Sequence, residues 1–302
     1  MDLGVIAIFG PTGIGKTSVA VELAELLRSS GEDPVAISAD ALQVYAGLGT
    51  LTGAASAAEQ GRLEHRLIGF VPLGETFSAG QFAALAHGEI DAARAAGRRP
   101  IVVGGTGLYL RAALTELDLA PPPPPQLRAR LQAAARARGA ADLHAELSRR
   151  APAVAAGVAP TDTSRVVRAL ELVEMDAADE PRTENRLWTA DVRVPTVLIG
   201  LTMAREPLYE RVDARVDAIV AAGAEAEVRR AQAAGASATA RKALGFEQLL
   251  RGDVDELKRR TRNYAKRQLS WMRKLAGVRV IDVSELTPHA TAREIAREVR
   301  GE

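Results

Sequence analysis

The sequence Val5-Ile6-Ala7-Ile8-Phe9-Gly10-Pro11-Thr12-Gly13-Ile14-Gly15-Lys16-Thr17 sets the architecture of this 302-residue chain. Its first five residues are apolar and end at a glycine, which is typical of a buried strand. Apolar residues then recur at helical spacing from Ser18 to Leu27, so a helix follows. The segment between strand and helix matches G-x-x-x-x-G-K-[ST], the pattern of a phosphate-binding loop in its required context.

The physical chemistry of such a loop favours an anion. Glycines let backbone N–H groups turn inward, and the N-terminus of the following helix adds partial positive charge. We expect Lys16 to reach the outer phosphate and the Thr17 hydroxyl to hold Mg²⁺. A chance glycine-rich turn is the alternative. The residues predicted to bind a di- or triphosphate are Gly10, Pro11, Thr12, Gly13, Ile14, Gly15, Lys16 and Thr17.

Further apolar runs predict a parallel sheet. Strands are expected at Val35–Ser38, Pro100–Val103 and Thr196–Leu201, and helical patterns alternate with them. Strands without polar residues that alternate with helices are typical of a parallel sheet covered on both faces. The predicted fold class is therefore α/β, a P-loop NTPase-like parallel sheet flanked by helices, with a helical insertion domain and a helical C-terminal region.

The strand and helix pattern breaks in the middle of the chain. Pro121 to Pro125 predict a stiff spacer, residues 126–175 show helical patterns rich in Ala, Leu and Arg, and residues 179–194 are polar without a strand pattern. We predict a core domain of residues 1–117 and 195–302, interrupted by a helical insertion domain of residues 118–194. Within the C-terminal region, residues 278–283 form a short apolar segment.

Composition excludes several classes of protein. Charged residues make up 25% of the chain and apolar residues 47%, which rules out a largely disordered protein. The absence of cysteine excludes disulfides, thiolate metal sites and cysteine nucleophiles. No apolar run is long enough to span a membrane, so we expect a cytoplasmic protein without membrane contact. Nothing indicates an obligate dimer, and a monomer is expected.

A single carboxylate is expected to face the phosphate-binding loop. Asp40 ends the second predicted strand, and the carboxyl ends of parallel strands share the rim at which ligands bind. The strand Pro100–Val103 runs into Gly104 and Gly105 instead of the metal-binding aspartate of an ATPase or kinase. We interpret Asp40 as a general base or acceptor towards an amine or hydroxyl. A turn or helix-capping aspartate is the alternative.

Two further features are expected near the same rim. Residues 104–109 form a second glycine-rich turn from strand to helix, for which ordinary loop punctuation is the simpler explanation when it is considered alone. Arg211 and Arg215 lie four residues apart on a predicted helix, so they share a face and can clamp a diphosphate. The alternative is a set of salt bridges with Asp213 and Asp217.

A basic segment near the C-terminus indicates a surface for RNA. Residues 258–274 include eight Lys or Arg and no Asp or Glu. Tyr264 and Trp271 lie seven residues apart on one helical face, where their rings can pack or stack on bases. Lys266 and Arg267 are the candidate phosphate contacts, and a merely solvated basic helix is the alternative.

These segments in this order resemble the tRNA dimethylallyltransferase family, the isopentenyl transferases that modify adenosine 37 beside the anticodon. The ordered set is far more specific than a phosphate-binding loop alone, and it covers nearly the whole chain. The matching blocks are Gly10–Thr17 (GPTGIGKT), Ser38–Tyr45 (SADALQVY), Phe77–Phe82 (FSAGQF), Pro100–Leu110 (PIVVGGTGLYL), Asp162–Glu171 (DTSRVVRALE), Gly223–Val228 (GAEAEV), Ala243–Glu247 (ALGFE) and Thr261–Arg273 (TRNYAKRQLSWMR).

The resemblance implies transfer of a dimethylallyl group from dimethylallyl diphosphate to the N6 amine of adenosine 37, with release of diphosphate. The substrates would be tRNAs that read codons starting with U, and Mg²⁺ would assist. The implied catalytic residues are Asp40 as general base, Thr106 and Lys16, and Arg211 or Arg215 would reach the diphosphate. The residues implied at the tRNA anticodon stem-loop are Asp40, Ala41, Leu42, Gln43, Thr106, Arg128, Ser164, Arg165, Val166, Val167 and Arg168, to which the basic segment adds Lys266 and Arg267.

The chain departs from the family pattern after its second strand. Ala41 and Leu42 stand where the family usually has Ser and often Arg or Met, and Gly49 to Thr52 lack the lysine of a Gly-Thr-Ala-Lys stretch. Two other functions stay open: a prenyltransferase acting on free adenine nucleotides, and a P-loop small-molecule kinase. The missing metal-binding aspartate argues against the kinase, and the insertion and basic segment argue against the free-nucleotide enzyme.

Overall fold

A six-stranded parallel sheet forms the centre of the computed structural model, which describes residues 3–117, 122–178 and 186–301. Pro121 of the proline run and residues 179–185 of the polar segment lie outside the described residues. The strand order is β3-β2-β4-β1-β5-β6. The strands are β1 Val5–Phe9, β2 Pro34–Ser38, β3 His65–Arg66, β4 Arg99–Gly104, β5 Thr196–Thr202 and β6 Arg279–Asp282.

Helices connect and cover the strands. Two short 3₁₀ helices, Arg186–Trp188 and Ala240–Lys242, add to the α-helices. The α-helices of the described residues are α1 Lys16–Ser29, α2 Gly49–Thr52, α3 Ala57–Arg62, α4 Ala79–Ala95, α5 Gly107–Leu114, α6 Pro125–Arg138, α7 Ala140–Arg150, α8 Pro152–Ala156, α9 Thr163–Glu174, α10 Arg205–Ala221, α11 Ala224–Ala233, α12 Phe246–Leu250, α13 Val254–Met272 and α14 Pro288–Arg300.

Strand β1 lies between β4 and β5, and its side chains serve both faces of the sheet. Ile6 pairs in register with Ile101 on one side and Val197 on the other. Ile6 and Ile8 pack into one buried cluster with α1, whereas Phe9 packs with α4 and α5 on the opposite face. A strand buried on both faces needs an unbroken apolar sequence, which is the pattern found here.

The predicted α/β class with a P-loop NTPase-like parallel sheet is confirmed. Two edge strands extend it beyond the prediction. Strand β3 has only two residues, and in β6 Ile281 is buried while Val280 is 52% exposed, so neither shows the apolar run of a central strand. The C-terminal region is otherwise helical, and α14 packs against α1.

The chain forms two compact units, Met1–Leu117 with Leu187–Glu302, and Asp118–Arg186. The second unit has its own apolar core, to which α6, α7 and α9 contribute. Residues 187–194 were predicted as insertion but belong to the first unit. The Trp188 ring lies 4.4 Å from that of Trp271, and the Arg193 N–H donates to the Leu114 carbonyl at 2.7 Å, so tertiary contacts override the polar sequence.

In the described part of the chain, no helix combines the length and the apolar character needed to cross a membrane.

Candidate functional site

The phosphate-binding loop has the backbone that an anion cradle requires. Gly13 and Gly15 adopt left-handed φ values of 81° and 96°, which β-carbon-bearing residues rarely take, and α1 begins at Lys16 immediately after them. The Lys16 Nζ donates to the Pro11 carbonyl at 2.9 Å, so its side chain folds back over the loop. The partial positive charge at the N-terminus of α1 and the Lys16 ammonium are thus both located at the phosphate-binding loop.

Five of the predicted loop residues line a cavity of about 350 Å³: Thr12, Gly13, Gly15, Lys16 and Thr17. Gly10, Pro11 and Ile14 are not part of the cavity lining. Ile14 is buried in the apolar core, and a β-carbon at Gly10 would lie 3.1 Å from the Leu201 carbonyl oxygen. The rest of the polar lining includes Asp40, Gln43, Arg215, Tyr264 and Gln268.

Two cations, Lys16 and Arg215, share this cavity with the Asp40 carboxylate, and Glu59 also lines it. Burial lowers the pKa of the Lys16 ammonium from 10.5 to about 8, with Asp40 acting in the opposite direction and Arg215 repelling the charge. Burial also lowers the pKa of Arg215, which Asp40 partly offsets. The shared influence of Asp40 means that all three groups lie within electrostatic reach of one another. Lys16 and Arg215 are the cations of the lining that can attract an anionic ligand.

Asp40 is both a turn residue and a cavity residue. Its Oδ1 accepts a hydrogen bond from the Leu42 N–H at 3.0 Å, so the turn role considered from the sequence is present. The Ala41 N–H donates to the Thr106 Oγ1 at 3.3 Å, which ties this turn to the glycine-rich turn after β4. Asp40 and Leu42 line the cavity, whereas Ala41 and Thr106 are not among its lining residues.

Of the two arginines on α10, Arg215 lines the cavity and Arg211 is exposed outside it. The Arg215 Nη2 donates to the Thr52 carbonyl at 3.1 Å. The alternative salt bridges do not form, because Asp213 and Asp217 pair with residues of α13 instead: Asp217 with Lys258 at 2.6 Å and Asp213 with Arg262 at 2.6 Å.

Gly53 makes room for Arg215, and sequence reasoning missed it. Its φ is +57°, and a β-carbon there would lie 1.8 Å from the Arg215 Nη2. A glycine with positive φ beside a cationic side chain is visible only in three dimensions, because 162 positions separate the two residues in the chain.

The inner face of α13 closes the site, which differs from the expectation of rings offered to RNA. Tyr264 lines the cavity, and burial, with the Asp40 charge adding to it, raises the pKa of the Tyr264 hydroxyl to about 12. The Trp271 ring packs on Trp188 and on Gly107, where a β-carbon would lie 2.1 Å from it. Both half-buried rings therefore contact other parts of this protein: Tyr264 forms part of the cavity wall, and Trp271 packs on Trp188.

The outer face of the same helix keeps its charges exposed. Lys266 and Arg267 are both exposed, and the Arg267 guanidinium lies 5.6 Å from the centre of the Tyr264 ring. A basic surface and a cavity wall are thus two faces of one helix. The predicted nucleic-acid contacts Lys266 and Arg267 are accessible, and no ion pair engages them among the described residues.

In the insertion unit, a buried carboxylate holds two of the predicted tRNA contacts. Glu171 is 1% exposed and accepts from the Arg128 Nε at 2.8 Å, from the Arg128 Nη2 at 3.0 Å and from the Arg168 Nη1 at 3.1 Å. Burial alone would raise the pKa of Glu171, but these hydrogen bonds outweigh it and lower the pKa. Arg128 and Arg168 therefore have a structural partner.

The predicted Ser164–Arg168 segment divides by helical face. Ser164 and Arg165 are exposed on α9, whereas Val166 and Val167 are buried in the core of the insertion unit. The side chains of Val166 and Val167 stabilise the helix packing and present little surface for the predicted tRNA contact.

Comparisons with known proteins find relatives of one family. A model of the IPP transferase family matches residues 43–275, and a model of isopentenyl transferase matches residues 3–73. The tRNA dimethylallyltransferase of Rhodospirillum centenum is 43% identical, over 92% of this chain and 91% of that protein. That of Thermobifida fusca is 40% identical, over 89% of this chain and 87% of that protein.

Solved structures give the same result. The full-length tRNA isopentenylpyrophosphate transferase from Bacillus halodurans superposes with a TM-score of 0.70 and is 33% identical, covering 100% of this chain and 96% of that chain. The resemblance noted in the sequence is thereby confirmed, since relatives and solved structure agree over nearly the full length. The chain belongs to the IPP transferase family.

Proposed function

We propose that this protein transfers the dimethylallyl group of dimethylallyl diphosphate to the N6 amine of adenosine 37 in tRNAs that read codons starting with U. Diphosphate is the second product. The observation that carries the proposal is the cavity. In it, Lys16, Arg215 and the N-terminus of α1 face the same space as Asp40. An anion site beside the Asp40 carboxylate suits a reaction with a diphosphate leaving group and an amine nucleophile.

The bond changes assign a role to each group. The C1–O bond of the allylic diphosphate breaks and its electron pair stays on the bridging oxygen, while the N6 lone pair forms the new N6–C1 bond. Lys16, Arg215 and the loop amides stabilise the charge that develops on the diphosphate. The N6 proton passes to the Asp40 carboxylate, which also orients the weakly nucleophilic amine.

Thr106 acts in this scheme through its contacts. Its hydroxyl accepts from the Ala41 N–H at 3.3 Å, so it holds the turn that carries Asp40. We propose that Thr106 positions the base and the incoming adenosine.

Mg²⁺ fits the site with only part of its ligands supplied by the protein. Thr17 lines the cavity, and among the described residues no group of three His, Cys, Asp or Glu could hold a metal ion. Mg²⁺ prefers oxygen ligands and commonly takes several from substrate phosphates. The Thr17 hydroxyl and the diphosphate oxygens would hold it, and when bound it would neutralise leaving-group charge.

The tRNA surface is proposed from accessible residues. Lys266 and Arg267 on the outer face of α13 would contact phosphates, and Leu42 and Gln43 would border the adenosine at the cavity. In the insertion unit, Ser164 and Arg165 are exposed. Arg128 and Arg168 keep part of their side chains exposed beside Glu171 and would contact RNA there. The target base must leave its stack to reach the cavity. A cytoplasmic monomer is proposed.

One experiment separates this function from its alternatives. The protein is incubated with Mg²⁺, labelled dimethylallyl diphosphate and either unmodified tRNA with adenosine 37 or AMP, ADP and ATP. We expect label in the tRNA and none in the free nucleotides. Label in AMP but not in tRNA would favour the free-nucleotide prenyltransferase. Phosphoryl transfer from ATP without prenyl transfer would favour a kinase.

A further inference from the structure

A buried glutamine joins the two loops that border the cavity. Gln268 lies on α13 and is 4% exposed. Its Oε1 accepts from the Thr12 N–H of the phosphate-binding loop at 2.9 Å, and its Nε2 donates to the Gly105 carbonyl at 2.8 Å. One side-chain amide thus connects segments 256 and 163 residues away in the chain.

Only one orientation of this amide satisfies both loops. A backbone N–H needs an acceptor and a backbone carbonyl needs a donor, so the carbonyl oxygen of Gln268 must face Thr12 and its NH₂ must face Gly105. Glutamate has no donor for Gly105 at neutral pH, and asparagine is one methylene shorter. The geometry therefore requires glutamine in particular.

Gly105 is shaped to receive this contact. A β-carbon there would lie 2.3 Å from the Gln268 Nε2 and 3.4 Å from the Lys16 Nζ. The space that glycine leaves is used by the amide on one side and approached by the catalytic ammonium on the other. The contact made by α13 therefore lies between the two loops and close to Lys16.

We infer that Gln268 is a positioning residue, which holds the phosphate-binding loop and the glycine-rich turn at the spacing that diphosphate binding requires. The inference rests on the proposed function for its kinetic part. Gln268 need not touch the substrate. Loss of its amide leaves the Thr12 N–H and the Gly105 carbonyl without their partner. The two loops are then joined only through the paired strands β1 and β4 that precede them.

The test replaces Gln268 with methionine, which keeps the length and the apolar stem but makes neither hydrogen bond. The matched control is Gln248→Met on α12, because Gln248 is also 4% exposed and is not part of the cavity lining. Inorganic pyrophosphate affinity is measured by calorimetry, thermal stability by calorimetric unfolding, and transfer to tRNA by steady-state kinetics.

We expect Gln268→Met to weaken pyrophosphate binding by about 10-fold, the scale of losing hydrogen bonds to buried groups, and to raise KM for dimethylallyl diphosphate with KM for tRNA unchanged. Gln248→Met should keep wild-type binding constants even where its melting temperature falls. Wild-type pyrophosphate affinity in Gln268→Met, or a change confined to KM for tRNA, would overturn the inference.

A second variant and the wild-type activity distinguish the possible results. Should Gln268→Met fail to fold, Gln268→Glu retains the volume and the acceptor for Thr12 but loses the donor to Gly105, and weaker pyrophosphate binding is again expected. Wild-type affinity in Gln268→Glu would then overturn the inference. A wild-type protein that transfers no prenyl group to tRNA would refute the proposed function instead, and the pyrophosphate measurement would still test the role of Gln268.

Discussion

Alanine at position 53 should remove the Arg215 guanidinium from the cavity while leaving the fold intact. The new β-carbon would lie 1.8 Å from the Arg215 Nη2 and 2.5 Å from its Cζ, which is impossible for non-bonded atoms. The clash is with the tip of a flexible side chain, so the guanidinium moves and the backbone stays. The remaining cost is that of alanine at a φ of +57°, about 1 kcal/mol of stability.

The effect on binding should be larger than the effect on stability. A hydrogen bond between charged groups contributes about 1.5–3 kcal/mol, and the displaced guanidinium would lose its contact with the diphosphate. A loss of about 2 kcal/mol corresponds to a Kd that is about 30-fold weaker. Inorganic pyrophosphate titrated by calorimetry measures this directly, without dependence on the tRNA.

Two controls isolate the contact. Gly31→Ala places alanine at a similar φ of +86° with no atom within 4 Å, so it reports backbone strain alone. The double variant Gly53→Ala, Arg215→Ala should bind pyrophosphate no more weakly than Arg215→Ala, because the clashing group is already gone. Wild-type affinity in Gly53→Ala, equal losses in Gly31→Ala, or additive losses in the double variant would refute the reasoning.

Three other consequences follow from the charges. Because burial lowers the pKa of Lys16 to about 8, pyrophosphate affinity should fall as pH rises above that value. Calorimetric titrations at pH values on both sides of 8 measure this fall, and it should be absent in Lys16→Arg. Glu171→Gln should lower the free energy of unfolding, measured in urea, by about 1–3 kcal/mol, a range that allows for solvent screening at the partly exposed arginines. Because the pKa of Glu171 is lowered in the folded protein, the stability difference between wild type and variant should disappear in acid. Charge reversal of Lys266 and Arg267 should weaken tRNA binding across sequences and reduce the salt slope in filter binding by about 1.5, whereas Arg293→Glu should not. A persistent pH step in Lys16→Arg, unchanged unfolding of Glu171→Gln, or an unchanged salt slope would contradict these expectations in turn.

The parts of the site that could be predicted are those encoded by local sequence. The apolar strand Val5–Phe9 and the loop after it predict the central strand, the anion cradle and the start of α1, because neighbouring residues determine all three. Asp40 could be placed on the same rim because the carboxyl ends of parallel strands meet there. Pattern and topology suffice for these features.

The contacts that complete the site are long-range and leave no local signal. Gln268 meets Gly105 across 163 residues, and Gly53 accommodates Arg215 from another part of the chain. The spacing of Tyr264 and Trp271 predicts a shared helical face but not the direction in which it points. Only tertiary packing shows that this face is directed inward.

In the insertion unit, residue type was a poor guide to accessibility. The basic residues of α6 and α9 predict an RNA surface, yet Glu171 from the same helix as Arg168 is buried and pairs with Arg128 and Arg168. A buried carboxylate cannot be recognised from a sequence in which Glu also occurs on exposed helix faces. The resemblance grouped Arg165 with Val166 as tRNA contacts, but Arg165 is exposed on α9 and Val166 is buried.

The role of Asp40 is tested most directly by Asp40→Asn. Asparagine keeps an oxygen to accept from the Leu42 N–H, so the turn should persist while the base is lost. We expect the single-turnover rate of prenyl transfer to tRNA to fall by about 10²- to 10⁴-fold, with pyrophosphate affinity unchanged or tighter because a negative charge has left the cavity. A wild-type rate of transfer, or a loss confined to pyrophosphate affinity, would contradict the account.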